Sequence, residues 1–388
     1  MTGGSRRSVK DRAWSTLSVL RLRRDGHRPP AAAPSGGSGD RVFIGPANSA
    51  GQGFAWARAL EHARPGTRVT SMQFVHEVDG FAYPVDQRVL SGYGAHSKRW
   101  QRDQLAALRG YRGVLAESAR PLFGALHGGD LVRQLAVLHD SGVRLGLLFH
   151  GSDLRDPDAH LAAEPLSYFG PDPQFTEAMR AATRRSREVI AETGLPVHVS
   201  TPDLLSEIEG AVWTPVVVDA AKWAAARAPL AHEGPMRVVH APSKSHVKGS
   251  DLIDGTLQRM HDAGRIEYRR ITGVPHDRMP EITRDADVVL DQFRGGPYGV
   301  AACEAMAAGR IVVSYVPRTL RDRVSRLTGL ELPIIDAVPD SLEDVLQGIV
   351  RDPGPALAAA AAGPGYVEEL HSGARSGRVL AEWLDGGE

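Results

Sequence analysis

The strongest constraint on this chain is an alternation: short apolar, β-branched runs are separated by longer helical patterns, and the series occurs twice. From Arg41 the runs are RVFIG (41–45), RVTSMQFV (68–75), GVLAES (113–118), RLGLLFH (144–150) and VHVS (197–200). After Pro215 it restarts with MRVVHAP (236–242), IEYRRIT (266–272), ADVVLDQF (286–293), RIVVSYV (310–316) and LPIID (332–336). Strands that are apolar throughout and lie between helices belong to parallel sheets covered on both faces. Two series meeting near TPVVVD (214–219) predict two Rossmann-like α/β domains, 41–214 and 215–365, which 388 residues can accommodate. PALAAAAAGPG (355–365) predicts a helix closed by Gly-Pro-Gly. Residues 366–388 predict a last helix, with Tyr366, Val367, Leu370, Leu380, Trp383 and Leu384 available to dock on a neighbour.

Composition narrows the class. The formal net charge is zero, so no global field favours nucleic acid or a cationic partner. A lone cysteine, Cys303, rules out a disulfide framework or a thiolate metal site within one chain and fits a reducing compartment. No run of about 18 apolar residues is present, and the arginine-containing start lacks the apolar core of a secretory signal. The expectation is a soluble cytoplasmic protein. Residues 1–40 differ from the rest: a basic flexible tail ending in the linker PPAAAPSGGSGD. If residues 9–24 are helical, Ala13, Trp14, Leu17 and Leu20 share one face among arginines. That helix offers a weak contact to an anionic membrane at the inner face, with a disordered solvated tail as the competing reading.

In open parallel sheets ligands bind beyond the carboxyl ends of the strands, and four segments there carry polar chemistry. GPANSAGQGF (45–54) brings Asn48, Gly51, Gln52 and Gly53 to a helix start; it is not G-x-G-x-x-G, which disfavours NAD. HGSDLRD (150–156) crowds His150, Asp153 and Arg155 behind the most apolar strand of the first half. HAPSKSHVKGSD (240–251) holds Ser243, Lys244 and Lys248, two of only five lysines among 46 basic residues, which suits a phosphate beside a helix start. DQFRGGPYGVAACEAMAAGRIVV (291–313) puts Asp291, Tyr298 and Gly299 in a turn, then Glu304 in a helix of small residues. A carboxylate buried there needs partners, and ribose hydroxyls are suitable ones.

The last segment resembles the donor-binding signature of family 4 glycosyltransferases, retaining enzymes of the GT-B fold. Glu304-Ala305-Met306-Ala307 followed by Gly309 and a strand matches E-A-M-A-x-G, and Lys248-Gly249 falls on the K-G of the family's phosphate segment. ITGVPHDRMPEITRDADVVLDQ (271–292) is similar to the part that frames the nucleotide base. The resemblance implies two Rossmann-like domains facing across a cleft, with the C-terminal helix crossing back to the first. It implies a hexosyltransferase-type enzyme, active in pathways such as polysaccharide biosynthesis. The donor is a nucleotide-diphosphate sugar and the acceptor a glycan, lipid-linked or small molecule. In that scheme Ser243, Lys244, Lys248, Tyr298 and Gly299 hold the diphosphate, while Glu304, Gly273, Val274 and Met279 hold ribose and base. His150 and Asp153 are the catalytic pair, and Asn48, Gly51, Gln52, Gly53, Arg155 and Asp291 touch sugar or acceptor.

The chain departs from the family pattern twice. The first glutamate of the usual pair is Gly296, and the expected arginine is Ser243. No cofactor is expected. Asp156-Pro157-Asp158 and Asp285-Ala286-Asp287 have the D-x-D form, but their settings argue against a required metal. Two further readings share the architecture: a non-catalytic nucleotide- or glycan-binding subunit, and a sugar-nucleotide epimerase.

Overall fold

A computed structural model describes residues 9–76 and 83–386, with side chains from Ala13 onward. It opens with helix α1 (Val9–Arg24). The first domain begins with β1 (Arg41–Gly45), α2 (Gln52–Ala63), β2 (Arg68–Val75), β3 (Gln87–Leu90), α3 (Ser91–His96) and α4 (Lys98–Leu108). It continues through β4 (Gly113–Glu117), α5 (Leu131–His139), β5 (Arg144–Phe149), α6 (Pro157–Ala163), α7 (Pro173–Thr193), β6 (Val197–Val199) and β7 (Val212–Trp213). The second domain starts with α8 (Ala220–Trp223), β8 (Met236–His240), α9 (Ser245–Lys248), α10 (Ser250–Asp262), β9 (Ile266–Arg270), α11 (Met279–Asp285) and β10 (Val288–Leu290). Then come α12 (Val300–Ala307), β11 (Ile311–Ser314), α13 (Arg318–Thr328), β12 (Ile335–Asp336), α14 (Leu342–Arg351), α15 (Gly354–His371) and α16 (Ala374–Asp385).

Each series of apolar runs forms its own parallel sheet. The first is ordered β3-β2-β1-β4-β5-β6-β7 and the second β12-β11-β10-β8-β9. All ten runs read from the sequence are strands; β3 and β7, four and two residues long, were too short to show a pattern. Central strands are covered on both faces, as continuous apolar sequence requires. In the first sheet Phe43 and Val114 face one core, while Val42, Ile44 and Leu115 face another beneath α2. The second sheet divides the same way, Val239 and Val312 on one side, Val238 and Val313 on the other.

Two expectations about the ends are corrected. Residues 25–40 are not a free tail but lie along the first domain. Ala33 is 3% exposed and its amide donates to Gln104 Oε1 at 2.8 Å. Gln87 Nε2 and Trp100 Nε1 donate to the Ala31 carbonyl at 2.9 and 3.2 Å. Buried amide and indole groups need partners, and this extended segment supplies them. At the other end, α15 does not stop at Gly-Pro-Gly but continues through Pro364 to His371. Gly363 lies so close to α12 that a Cβ there would stand 2.7 Å from the Met306 carbonyl oxygen, and this packing carries the helix past the proline. The break falls instead at Gly373, whose φ of +101° suits glycine. From there α16 crosses back, burying Leu380, Trp383 and Leu384 in the core beneath α2.

Candidate functional site

The carboxyl ends of the two sheets face each other across a cleft. On the second-domain side, Ser243, Lys248, Gly273, Val274, Met279 and Glu304 line one cavity of about 200 Å³. The sequence scatters these six residues over three segments; the parallel sheet brings the segments together. Ala50 and Tyr83 of the first domain line it too.

Lys248 ends α9, and Gly249 follows with φ +73°. A Cβ on Gly249 would stand 3.2 Å from the backbone carbon of Phe293, so glycine lets the two loops close up. The Lys248 ammonium is ion-paired with Asp291 and donates to Gln292 Oε1 at 3.2 Å. It also lies 4.0 Å from where a Gly299 Cβ would stand, over the start of α12. No side chain caps that start. A lysine and a helix N-terminus converging on one point suit an anion.

Glu304 sits in the second turn of α12, its side chain 12% exposed, where small neighbours leave it little water. Burial raises its pKa, and the His276 bond pulls back only in part. His276 Nε2 is 2.7 Å from Glu304 Oε1, and the histidine ring lies between Tyr83 and Trp223, at centroid distances of 4.7 and 5.7 Å. Sequence reasoning missed His276, although it lies inside the base-framing stretch. A second cavity, of about 760 Å³, adjoins the first through Ala50, Tyr83, His276, Val300 and Glu304, and reaches Gly51, Gln52, Lys222 and Trp223.

On the first-domain side the organising group is Glu117, at the end of β4 and fully buried. Its Oε2 accepts the amides of Ala47 and Asn48 at 2.8 and 2.9 Å, and its Oε1 is 2.9 Å from His150 Nε2. Gly53 leaves room for this, since a Cβ there would be 3.2 Å from Glu117 Oε1. Burial by itself would depress the His150 pKa, but the Glu117 and Asp153 carboxylates outweigh it and raise it. The signal available in GVLAES was an acidic residue closing an apolar strand. His150 lines a third cavity, of about 190 Å³, opposite Gln292, Pro297, Tyr298 and Gly299 of the second domain.

Several expected contacts are used up inside the protein. Asp153 accepts the His150 amide at 3.0 Å, the Gly151 amide at 2.7 Å and the Ser118 hydroxyl at 2.6 Å, so it shapes the His150 turn. Arg155 is ion-paired with Asp203 and donates to the Tyr168 hydroxyl; its pKa is raised, the two partners outweighing burial. Asn48 is buried, its Oδ1 accepting the Phe54 amide at 2.9 Å. Gln52 ties the first domain to the crossover, accepting the Val217 amide at 2.6 Å and donating to its carbonyl at 3.0 Å. Gly51 faces the Tyr83 ring. The Tyr298 hydroxyl points away from the cleft, 3.0 Å from that of Tyr366, leaving only its backbone for a diphosphate. Lys244 stands over the Phe175 ring at 5.6 Å and is not among the residues lining the 200 Å³ cavity. For Asn48, Asp153, Arg155 and the Tyr298 hydroxyl the cause is the same: a buried polar side chain is satisfied by the partners that burial brings to it.

The loop that departs from the family signature has its own geometry. Gly296 has φ +85°, and a Cβ on it would lie 2.6 Å from Pro317 Cδ, so no glutamate fits without movement. The D-x-D carboxylates are engaged as well: Asp158 with Arg180 at 2.6 Å, Asp285 with Arg237 at 2.8 Å and Asp287 with His232 at 2.7 Å. Asp156 caps α6. Among the described residues no cluster of three or more His, Cys, Asp or Glu side chains converges in a metal-binding arrangement. Among the described residues no helix is long and apolar enough to cross a membrane.

No family model matches the sequence, and no curated protein matches it. Solved structures do. Sucrose-phosphate synthase from Thermosynechococcus elongatus aligns over 89% of this chain and 98% of its own, at 13% identity and a TM-score of 0.57. Anabaena Alr3699/HepE, in complex with UDP and glucose, covers 89% and 99% at 12% identity and a TM-score of 0.56. WaaG, a glycosyltransferase involved in lipopolysaccharide biosynthesis, covers 89% and 100% at 13% identity and a TM-score of 0.50. Two parallel sheets across a cleft, a returning C-terminal helix and these full-length likenesses lead to one statement: this chain has the GT-B fold of glycosyltransferases.

Proposed function

We propose that the protein is a glycosyltransferase of the hexosyltransferase type that takes its sugar from a nucleotide-diphosphate donor. The observation that carries this reading is the single cavity lined by Lys248 and Glu304, with the uncapped start of α12 beside the lysine. That Anabaena HepE has been solved with UDP-glucose supports a donor of this class. The diphosphate lies against Lys248 and the first amides of α12, which stabilise the charge that grows as it departs. For this Lys248 exchanges Asp291 for phosphate oxygens. Glu304 exchanges His276 for the ribose hydroxyls. His150, whose pKa Glu117 and Asp153 raise, faces the same loop from the other domain.

Transfer proceeds with retention. The bond from the anomeric carbon to the diphosphate oxygen breaks, and the acceptor oxygen bonds to the same face. The acceptor proton passes to the departing diphosphate. The acceptor is a glycan, a lipid-linked sugar or a small molecule entering beside residues 45–54. With Gly296 in place of a glutamate, sugar contacts on the donor side come from backbone groups of the 295–299 loop. Glu304→Ala tests the reading by calorimetry: donor Kd should rise roughly 10- to 100-fold, as expected for lost hydrogen bonds to a charged group. An unchanged Kd in a folded variant overturns it.

A further inference from the structure

We infer that the outer face of α1 docks the protein on an anionic lipid bilayer. This goes beyond the sugar-transfer reading and is independent of it. The helix has two faces. Val19 and Leu22 pack against the first-domain core, and Leu22 touches Gly92 at the start of α3. The opposite side carries Trp14, Leu17 and Leu20, exposed by 66%, 60% and 52%. Eight large hydrophobic residues are exposed among the described residues, and three of them lie on this one helix, so their grouping needs an occupant.

The charges decide which occupant. Residues 9–28 hold six basic residues and two acidic ones, a net +4 in a chain whose total is zero. Arg21 and Arg24 follow Leu17 and Leu20 at four-residue steps on the exposed side. Among the described residues Asp25 faces them, at 3.7 and 3.6 Å, and leaves the two arginine side chains 77% and 79% exposed. Leucines and a tryptophan share this exposed side with arginines, so the apolar groups can enter the acyl boundary while the guanidinium groups meet phosphates. A second copy is the wrong partner, because it would set one net-positive segment against another, and protein interfaces are depleted of charge at their centres.

The test is co-sedimentation of the full chain with vesicles of phosphatidylcholine alone or with 30% phosphatidylglycerol. Binding should require the anionic lipid and weaken as salt rises. Arg21→Glu with Arg24→Glu should weaken it roughly 30-fold or more, from about 1 kcal/mol per basic residue at such a surface. Trp14→Ser with Leu17→Ser should abolish it. Both pairs lie on the solvent side, so donor binding by the variants serves as the folding control. Equal binding to both vesicle types, binding to neither, or self-association through this face overturns the proposal.

Discussion

The two halves of the cleft are built differently. In the first domain the polar groups are bound to one another: Asp153 and Glu117 are saturated by amides, a hydroxyl and His150, and Arg155 by Asp203. In the second domain the charged groups are paired at the cavity wall, Lys248 with Asp291 and Glu304 with His276, where a ligand can replace the partner. The first half is a frame and the second is an exchangeable surface. Substitutions in the frame should therefore register as stability and orientation, and substitutions in the exchangeable surface as donor binding and rate.

The sharpest way to break this contrast is Lys248→Gln, which keeps a donor for Asp291 but removes the charge. We expect kcat to fall by roughly 100- to 1,000-fold, the range for removing one preorganised stabiliser of developing charge, together with a loss of thermal stability, because the buried Asp291 carboxylate loses its counter-ion. A large stability loss with normal turnover would move Lys248 into the frame. Glu117→Gln should do the reverse. It weakens the grip on the 47–48 amides and His150 and should cost about 1–3 kcal/mol in denaturant unfolding, with donor Kd within a few-fold of wild type.

The pH dependence sharpens the same distinction. The folded-state pKa of His150 lies above its ordinary 6.5 because the two carboxylates outweigh burial. The stability that this pair contributes is therefore complete below pH 6.5 and lost as pH rises through the folded value. Unfolding free energies of wild type and His150→Gln, measured from pH 5.5 to 8.5, should differ most at the acid end. A difference that grows with pH would refute a raised His150 pKa. The smallest effect belongs to Tyr298→Phe, which should cost about 1 kcal/mol of stability through the lost contacts to Tyr366 and His371 and leave donor affinity unchanged. Any large change in donor affinity would return that hydroxyl to the cleft.

Much of this was legible in the sequence, and what was not has a common cause. The ten strands, Lys248-Gly249 before α10 and Glu304 within a helix of small residues all follow from patterns a few residues long, because periodicity and turn chemistry are local. Which charge satisfies which is not local. Glu117 meets His150 across 33 positions, Glu304 meets His276 across 28, and Arg155 meets Asp203 across 48. Even the end of α15 was decided by contact with α12, which carried the helix through Pro364. The sequence by itself determined two parallel α/β domains and the segments that would meet at their carboxyl edges. Only the tertiary structure decided which of those polar side chains stay available to a ligand. Burial forces each of them to find a partner, and the partners come from strands and loops distant in the chain.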